Sequence, residues 1–150
     1  MSESLMSKLN EALKRAMKSG EKNQLEGLRT LKGGLQKLMI DKGQTFGTED
    51  ELNFLLAESK RRKEAIELYQ KGGRTELAAK EERELEMIAA YLPKQLDQAE
   101  LAVIVDEVIK SVGGASIKDM GKVMGAVMAK VKGQADGKTV QDLVKSKLGK

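Results

Sequence analysis

The 150-residue sequence contains no cysteine, no histidine and no tryptophan, and only one proline. Without cysteine there is no disulfide framework and no thiol chemistry. Without histidine the commonest general base and the commonest metal ligand are gone. The two absences together exclude zinc sites of the usual kinds. Aromatic residues make up 3% of the chain, namely Phe46, Phe54, Tyr69 and Tyr91. A core must therefore come from Leu, Ile, Val, Ala and the eight Met, whose flexible thioethers fill irregular gaps between helices. No apolar run approaches the roughly 18 residues of a membrane span, and the start Met1-Ser2-Glu3-Ser4 lacks the apolar segment of a signal peptide. These absences point to a cytoplasmic chain with no metal or other cofactor. They lower the expectation of catalysis without settling it.

What is present is charge and helical periodicity. The net charge is +4 but unevenly spread. From Lys110 to Lys150 nine lysines face three aspartates, a local charge of +6, which leaves −2 on the first 109 residues. A basic end on a near-neutral body suits an anionic partner. It also suits a merely solvated surface, and charge alone does not choose.

Apolar residues recur at helical spacing along the whole chain. Leu5, Leu9, Leu13 and Met17 form one stripe, stopped by Ser19-Gly20. Leu25, Leu28, Leu31, Leu35 and Leu38 form the next, weakened by Gly27, Gly33 and Gly34, each costing about 1 kcal/mol relative to Ala. Thr48 offers an N-cap with Glu51 as its capping-box partner. That helix carries Leu52, Leu55, Leu56, Ile66 and Tyr69 and ends at Gly72-Gly73. A fourth helix, Thr75 to about Leu92, places Leu77, Leu85, Ile88 and Leu92 on one line. Pro93 disfavours a continuing helix, and Asp97 with Glu100 reads as a fresh start. The next helix holds Leu101, Ile104, Val105, Val108, Ile109 and Val112, closed by Gly113-Gly114. Ser116 and Asp119 cap a helix that ends at Gly133, and Asp136 caps a last one with Val140, Leu143, Val144 and Leu148. The expectation is an all-α chain of seven helices. Residues 1–93 would form a helical N-terminal domain of about four helices, and residues 94–150 a small three-helix C-terminal domain.

One stretch could carry a function. Between Ser116 and Lys132, Met120, Val123, Met124, Val127, Met128 and Val131 share one helix face and read as core. The opposite face holds Lys118, Lys122, Gly125, Ala129 and Lys132. Lysines separated by Gly and Ala make a low strip that a nucleic-acid backbone could approach. Lys130, Lys132, Gly133 and Lys138 follow around the next helix N-terminus, where backbone N–H groups favour an anion. Contacts of this kind position a ligand without reading sequence, and specificity would come from the shape of a structured RNA. No aromatic interleaves with the patch, so single-strand base stacking is not expected. On the alternative reading the lysines solvate an outer face, and Gly121 and Gly125 serve close helix packing.

Two other charged stretches read as solvated faces. These are Lys60-Arg61-Arg62-Lys63 and the acidic set Glu81, Glu82, Glu84 and Glu86. The glycines form neither a phosphate-cradling loop nor a dinucleotide fingerprint.

The stretch SIKDMGKVMGAVMAKVKGQADGKTVQDLVKSKL, Ser116 to Leu148, resembles the C-terminal module of the GatB/YqeY family. The segment ELAAKEERELEMIAAYLPKQL, Glu76 to Leu96, is similar to its stand-alone YqeY members. The resemblance implies an all-α protein with a helical N-terminal domain and a three-helix C-terminal module. In the larger family that module is the tail of the B subunit of the tRNA-dependent amidotransferase, which converts Glu-tRNA(Gln) or Asp-tRNA(Asn), and the tail is associated with tRNA recognition. A similar unit occurs in the N-terminal region of some glutaminyl-tRNA synthetases. By this resemblance Lys118, Lys122, Lys130, Lys132, Gly133 and Lys138 are nucleic-acid-binding positions. The chain is then a tRNA- or RNA-binding accessory protein without its own catalytic centre. The alternatives are an adaptor docking on an amidotransferase, an aminoacyl-tRNA synthetase or a tRNA-modifying complex, and a component of a glutamine-dependent carbon–nitrogen ligase. The amidotransferase's large ATP-using domain has no counterpart in the chain.

Overall fold

The computed structural model describes residues 3–149. Among them are seven α-helices and no strand, so the fold class is all-α as expected. None of these helices is long and apolar enough to cross a membrane. The chain divides between Leu92 and Pro93 into two compact units, described in turn.

The first unit holds α1 (Leu5–Ser19), α2 (Lys22–Lys42), α3 (Thr48–Lys71) and α4 (Thr75–Ala89). Ser4 caps α1 by accepting the Ser7 N–H. Gly20 ends it with φ +73, and its N–H donates to the Ala16 carbonyl, the left-handed stop that glycine tolerates without a Cβ clash. The core gathers Leu5, Leu9, Ala12, Ala16, Leu28, Leu31, Leu35, Phe54, Leu55 and Ile88. Each fully buried leucine contributes about 1.5–3 kcal/mol. The α1 stripe is therefore displaced from the expected one. Ala12 and Ala16 lie inside, Leu13 is half-buried and Met17 is 61% exposed. Gly27 and Gly34 have a packing use. A Cβ on Gly27 would fall against Met87 of α4, and one on Gly34 would lie 3.3 Å from the Phe54 ring of α3.

The entry to α3 also differs from the Thr48–Glu51 box. Gly47 is the N-cap, and its N–H donates to Asp50 at 2.9 Å. Asp50 also takes Lys42 at 2.6 Å. These two partners, Lys42 first, hold its carboxyl below the ordinary value of 3.8. Glu51 is used elsewhere, accepting the Leu5 N–H at 2.8 Å and fastening the start of α1 to the first turn of α3.

A second correction concerns the charged helices. Lys60, Arg61 and Lys63 are exposed, but Arg62 is 4% exposed. Its guanidinium pairs with Glu58 one turn back, with Glu84 at 3.3 Å and with Glu81 at 3.9 Å. The expected solvated faces of α3 and α4 thus meet in a buried ion-pair cluster. Glu82 and Glu86 do lie outside.

The second unit holds α5 (Gln98–Val112), α6 (Met120–Val131) and α7 (Gly137–Leu148). Asp97 and Glu100 form the expected capping box, with bonds of 2.8 and 3.2 Å. Gly113 closes α5 with φ +71. A single 3₁₀ turn, Ile117–Asp119, then leads into α6. Leu101, Val105 and Val108 of α5 meet Val123, Val127 and Val131 of α6 and Val140, Val144 and Leu148 of α7 in one core. Lys147 of α7 pairs with Asp106 of α5 at 2.8 Å.

Candidate nucleic-acid interface

The strip begins in the 3₁₀ turn. Ser116 Oγ accepts the Lys118 N–H at 3.3 Å, and the Asp119 carboxylate accepts the N–H groups of Ala115 and Ser116 at 2.9 and 3.2 Å. Those two donors, Ala115 first, hold the Asp119 carboxyl below its ordinary value of 3.8, and the Lys122 charge adds to the effect. Asp119 lies beside the strip, and its Oδ2 is engaged in the turn that carries Lys118.

Along α6 the buried line is Val123, Val127 and Val131, with Met120, Met124 and Met128 half-buried at its margins. The other side exposes Lys122, Gly125 and Ala129, and Lys132 is exposed just past the helix end. A Cβ on Gly121 or Gly125 would meet no heavy atom within 4 Å. These glycines therefore serve no helix packing within the unit. They leave a side of α6 low, flanked by lysines. Lys130 is also exposed, and at 100° per residue it stands roughly 80° around the helix from Lys122. Lys138 is exposed in the first turn of α7, across the turn from α6.

The Lys132–Gly133 turn is held from the segment that follows Pro93. Gly133 is buried with φ +80, a backbone region that side-chain-bearing residues rarely adopt. Its carbonyl accepts Gln95 Nε2 at 2.6 Å, and the Leu96 N–H donates to the Gln134 carbonyl at 2.8 Å. Gln95 also reaches the Pro93 carbonyl at 2.8 Å. The segment just after Pro93 therefore clamps the turn that carries Lys132. Asp136 stands at the N-cap of α7, and its carboxylate accepts the Thr139 hydroxyl at 3.5 Å. Sequence reading missed Gln95 because its partner lies 38 residues away, and nothing local marks such a bond.

This geometry gives a direct expectation. Gly133→Ala forces a Cβ into the left-handed region and costs on the order of 1–2 kcal/mol. Gln95→Ala removes the clamp for about 0.5–1.5 kcal/mol. Chemical denaturation of both variants checks the order. Equal stability in Gly133→Ala would mean that the turn relaxes freely.

No group of acidic side chains able to hold a metal ion occurs among the described residues. The strip can offer ammonium groups and a close approach, which is the chemistry of phosphate contact.

The family model described as Yqey-like protein matches residues 6–148. The chain belongs to the YqeY-like family. Among curated proteins nothing matches it. The family match runs from α1 through α7 of this YqeY-like chain. The lysine strip and the turn clamped by Gln95 both lie within it.

Proposed function

We propose that this YqeY-like chain is a cytoplasmic accessory protein that binds tRNA or a similarly structured RNA without catalysing a reaction of its own. The observation that carries this reading is the exposed Lys118–Lys122–Lys132 strip, kept low by Gly125 and Ala129, with Lys130 and Lys138 beside it. Lysines contact phosphates as point charges, so such a surface binds RNA through its backbone and discriminates by shape. The similarity of Ser116–Leu148 to the tail of the tRNA-dependent amidotransferase supports the same reading and suggests an amidotransferase or aminoacyl-tRNA synthetase as a working partner.

The test is the salt dependence of tRNA binding. About three phosphate contacts give a log–log slope on the order of −2 to −3. Single Lys→Ala changes at Lys118, Lys122 and Lys132 should each weaken binding to many tRNAs alike and flatten the slope by nearly one unit. Thermal stability should hardly move, since exposed lysines contribute little and Ala is the better helix former. The exposed Lys8 and Lys37 serve as Lys→Ala controls. If the triple variant binds tRNA as tightly as the unmodified chain, the strip is a solvated face and the adaptor reading leads. Glutamine-dependent amidation by the purified chain would instead establish a carbon–nitrogen ligase component.

A further inference from the structure

A second cationic surface lies in the first unit, on helices that the RNA reading does not use. The α1 positions Leu13, Lys14 and Met17 and the α2 positions Arg29, Lys32 and Gly33 line a groove of about 610 Å³. On each helix these positions follow the three-and-four spacing of a single face. No carboxylate lines the groove. None of the ion pairs among the described residues engages Lys14, Arg29 or Lys32. Gly33 leaves the groove open, because a Cβ there would meet nothing within 4 Å. Met17, 61% exposed, and half-buried Leu13 put an apolar lining between the cations.

We propose that the α1–α2 groove docks an acidic amphipathic helix of a partner protein. Such a helix lays an apolar stripe over Leu13 and Met17, in the manner of other helix-in-groove complexes. Its flanking carboxylates meet Lys14, Arg29 and Lys32. Charge complementarity sets its orientation and on-rate. Methionine suits a surface that must adapt to a partner's side chains. Nucleic acid fits less well. An exposed methionine and a leucine offer nothing to a phosphodiester, and no aromatic lines the groove for a base to stack on. The site does not depend on the lysine strip, so the chain would hold RNA through its C-terminal unit and a protein through its N-terminal one.

The test uses the full chain and three labelled probes. The first is a synthetic helical peptide with leucines at i, i+3, i+4 and i+7 flanked by glutamates. The second has lysine in place of every glutamate. The third is an oligouridine of comparable charge. The acidic peptide should bind and shift the amide resonances of Leu13, Met17, Lys32 and Gly33. Met17→Ser, and separately the triple change Lys14→Ala, Arg29→Ala and Lys32→Ala, should each weaken it by about tenfold or more. Changing Lys118, Lys122 and Lys132 to alanine should leave peptide binding unchanged, which separates failure here from failure of the RNA reading. Equal binding of the lysine peptide, resonance shifts elsewhere, or no binding of the acidic peptide would overturn the proposal. So would an oligouridine that displaces the peptide and is indifferent to Met17→Ser, since the groove would then be a nucleic-acid surface.

Discussion

Arg62→Ala is expected to destabilise the N-terminal unit by about 3–5 kcal/mol, the usual cost of breaking a buried ion pair by removing one partner. The guanidinium pairs with Glu81 and Glu84, and it shares Glu58 with Arg61. The three carboxylates are themselves largely buried, with side-chain exposures of 15%, 23% and 12% for Glu58, Glu81 and Glu84. Removing Arg62 leaves them close together between α3 and α4 with most of their compensation gone. Lys60→Ala, two residues away on the exposed side, should stay within about 0.5 kcal/mol of the unmodified chain. Denaturant midpoints of the two variants measure the difference. An Arg62→Ala midpoint as mild as that of Lys60→Ala would show that water already serves this guanidinium.

That arginine also shows where sequence reading stops. Periodicity located seven helices because each helix writes its own apolar pattern along the chain. Burial of Arg62 depends on Glu81 and Glu84, which belong to another helix, so no window around Lys60–Lys63 could announce it. The same reason hides the Gln95–Gly133 bond and the use of Glu51 by Leu5. The stripe Leu5, Leu9, Leu13, Met17 went astray differently. A strict four-residue step gains roughly 40° per repeat on a 3.6-residue helix. By Met17 the line has rotated out to solvent, and Ala12 and Ala16 fill the inside because small side chains suit a close helix approach. The exposure of these lysines was legible because Lys122, Gly125 and Ala129 share one face of α6, with Lys118 and Lys132 just beyond its two ends. Asp119 was legible as the capping partner of Ser116, whereas the burial of Gly133 was not, since it follows from turn geometry.

Val127→Asp should unfold the C-terminal unit. Val127 is 0% exposed and shares a core with Val105, Val123, Val131, Val140 and Val144. That core contains no cation to pair with a new carboxylate. Burying an unpaired charge costs several kcal/mol even after the group shifts toward its neutral form, and a unit of this size has little stability to lose. Met124→Asp is the informative comparison. Sequence spacing places Met124 at the centre of the stripe, but the side chain is half-buried at its margin, where a carboxylate can turn toward water. Its cost should be the smaller of the two. Circular dichroism with thermal melting reads the order. If Pro93 separates two independently folding domains, Val127→Asp should lose the helical signal of α5–α7 and keep that of α1–α4, and a fragment beginning at Gln95 should melt cooperatively. A single transition that carries all seven helices down together would instead make the chain one cooperative unit. Equal melting of Val127→Asp and the unmodified chain would mean that α6 turns a different face inward.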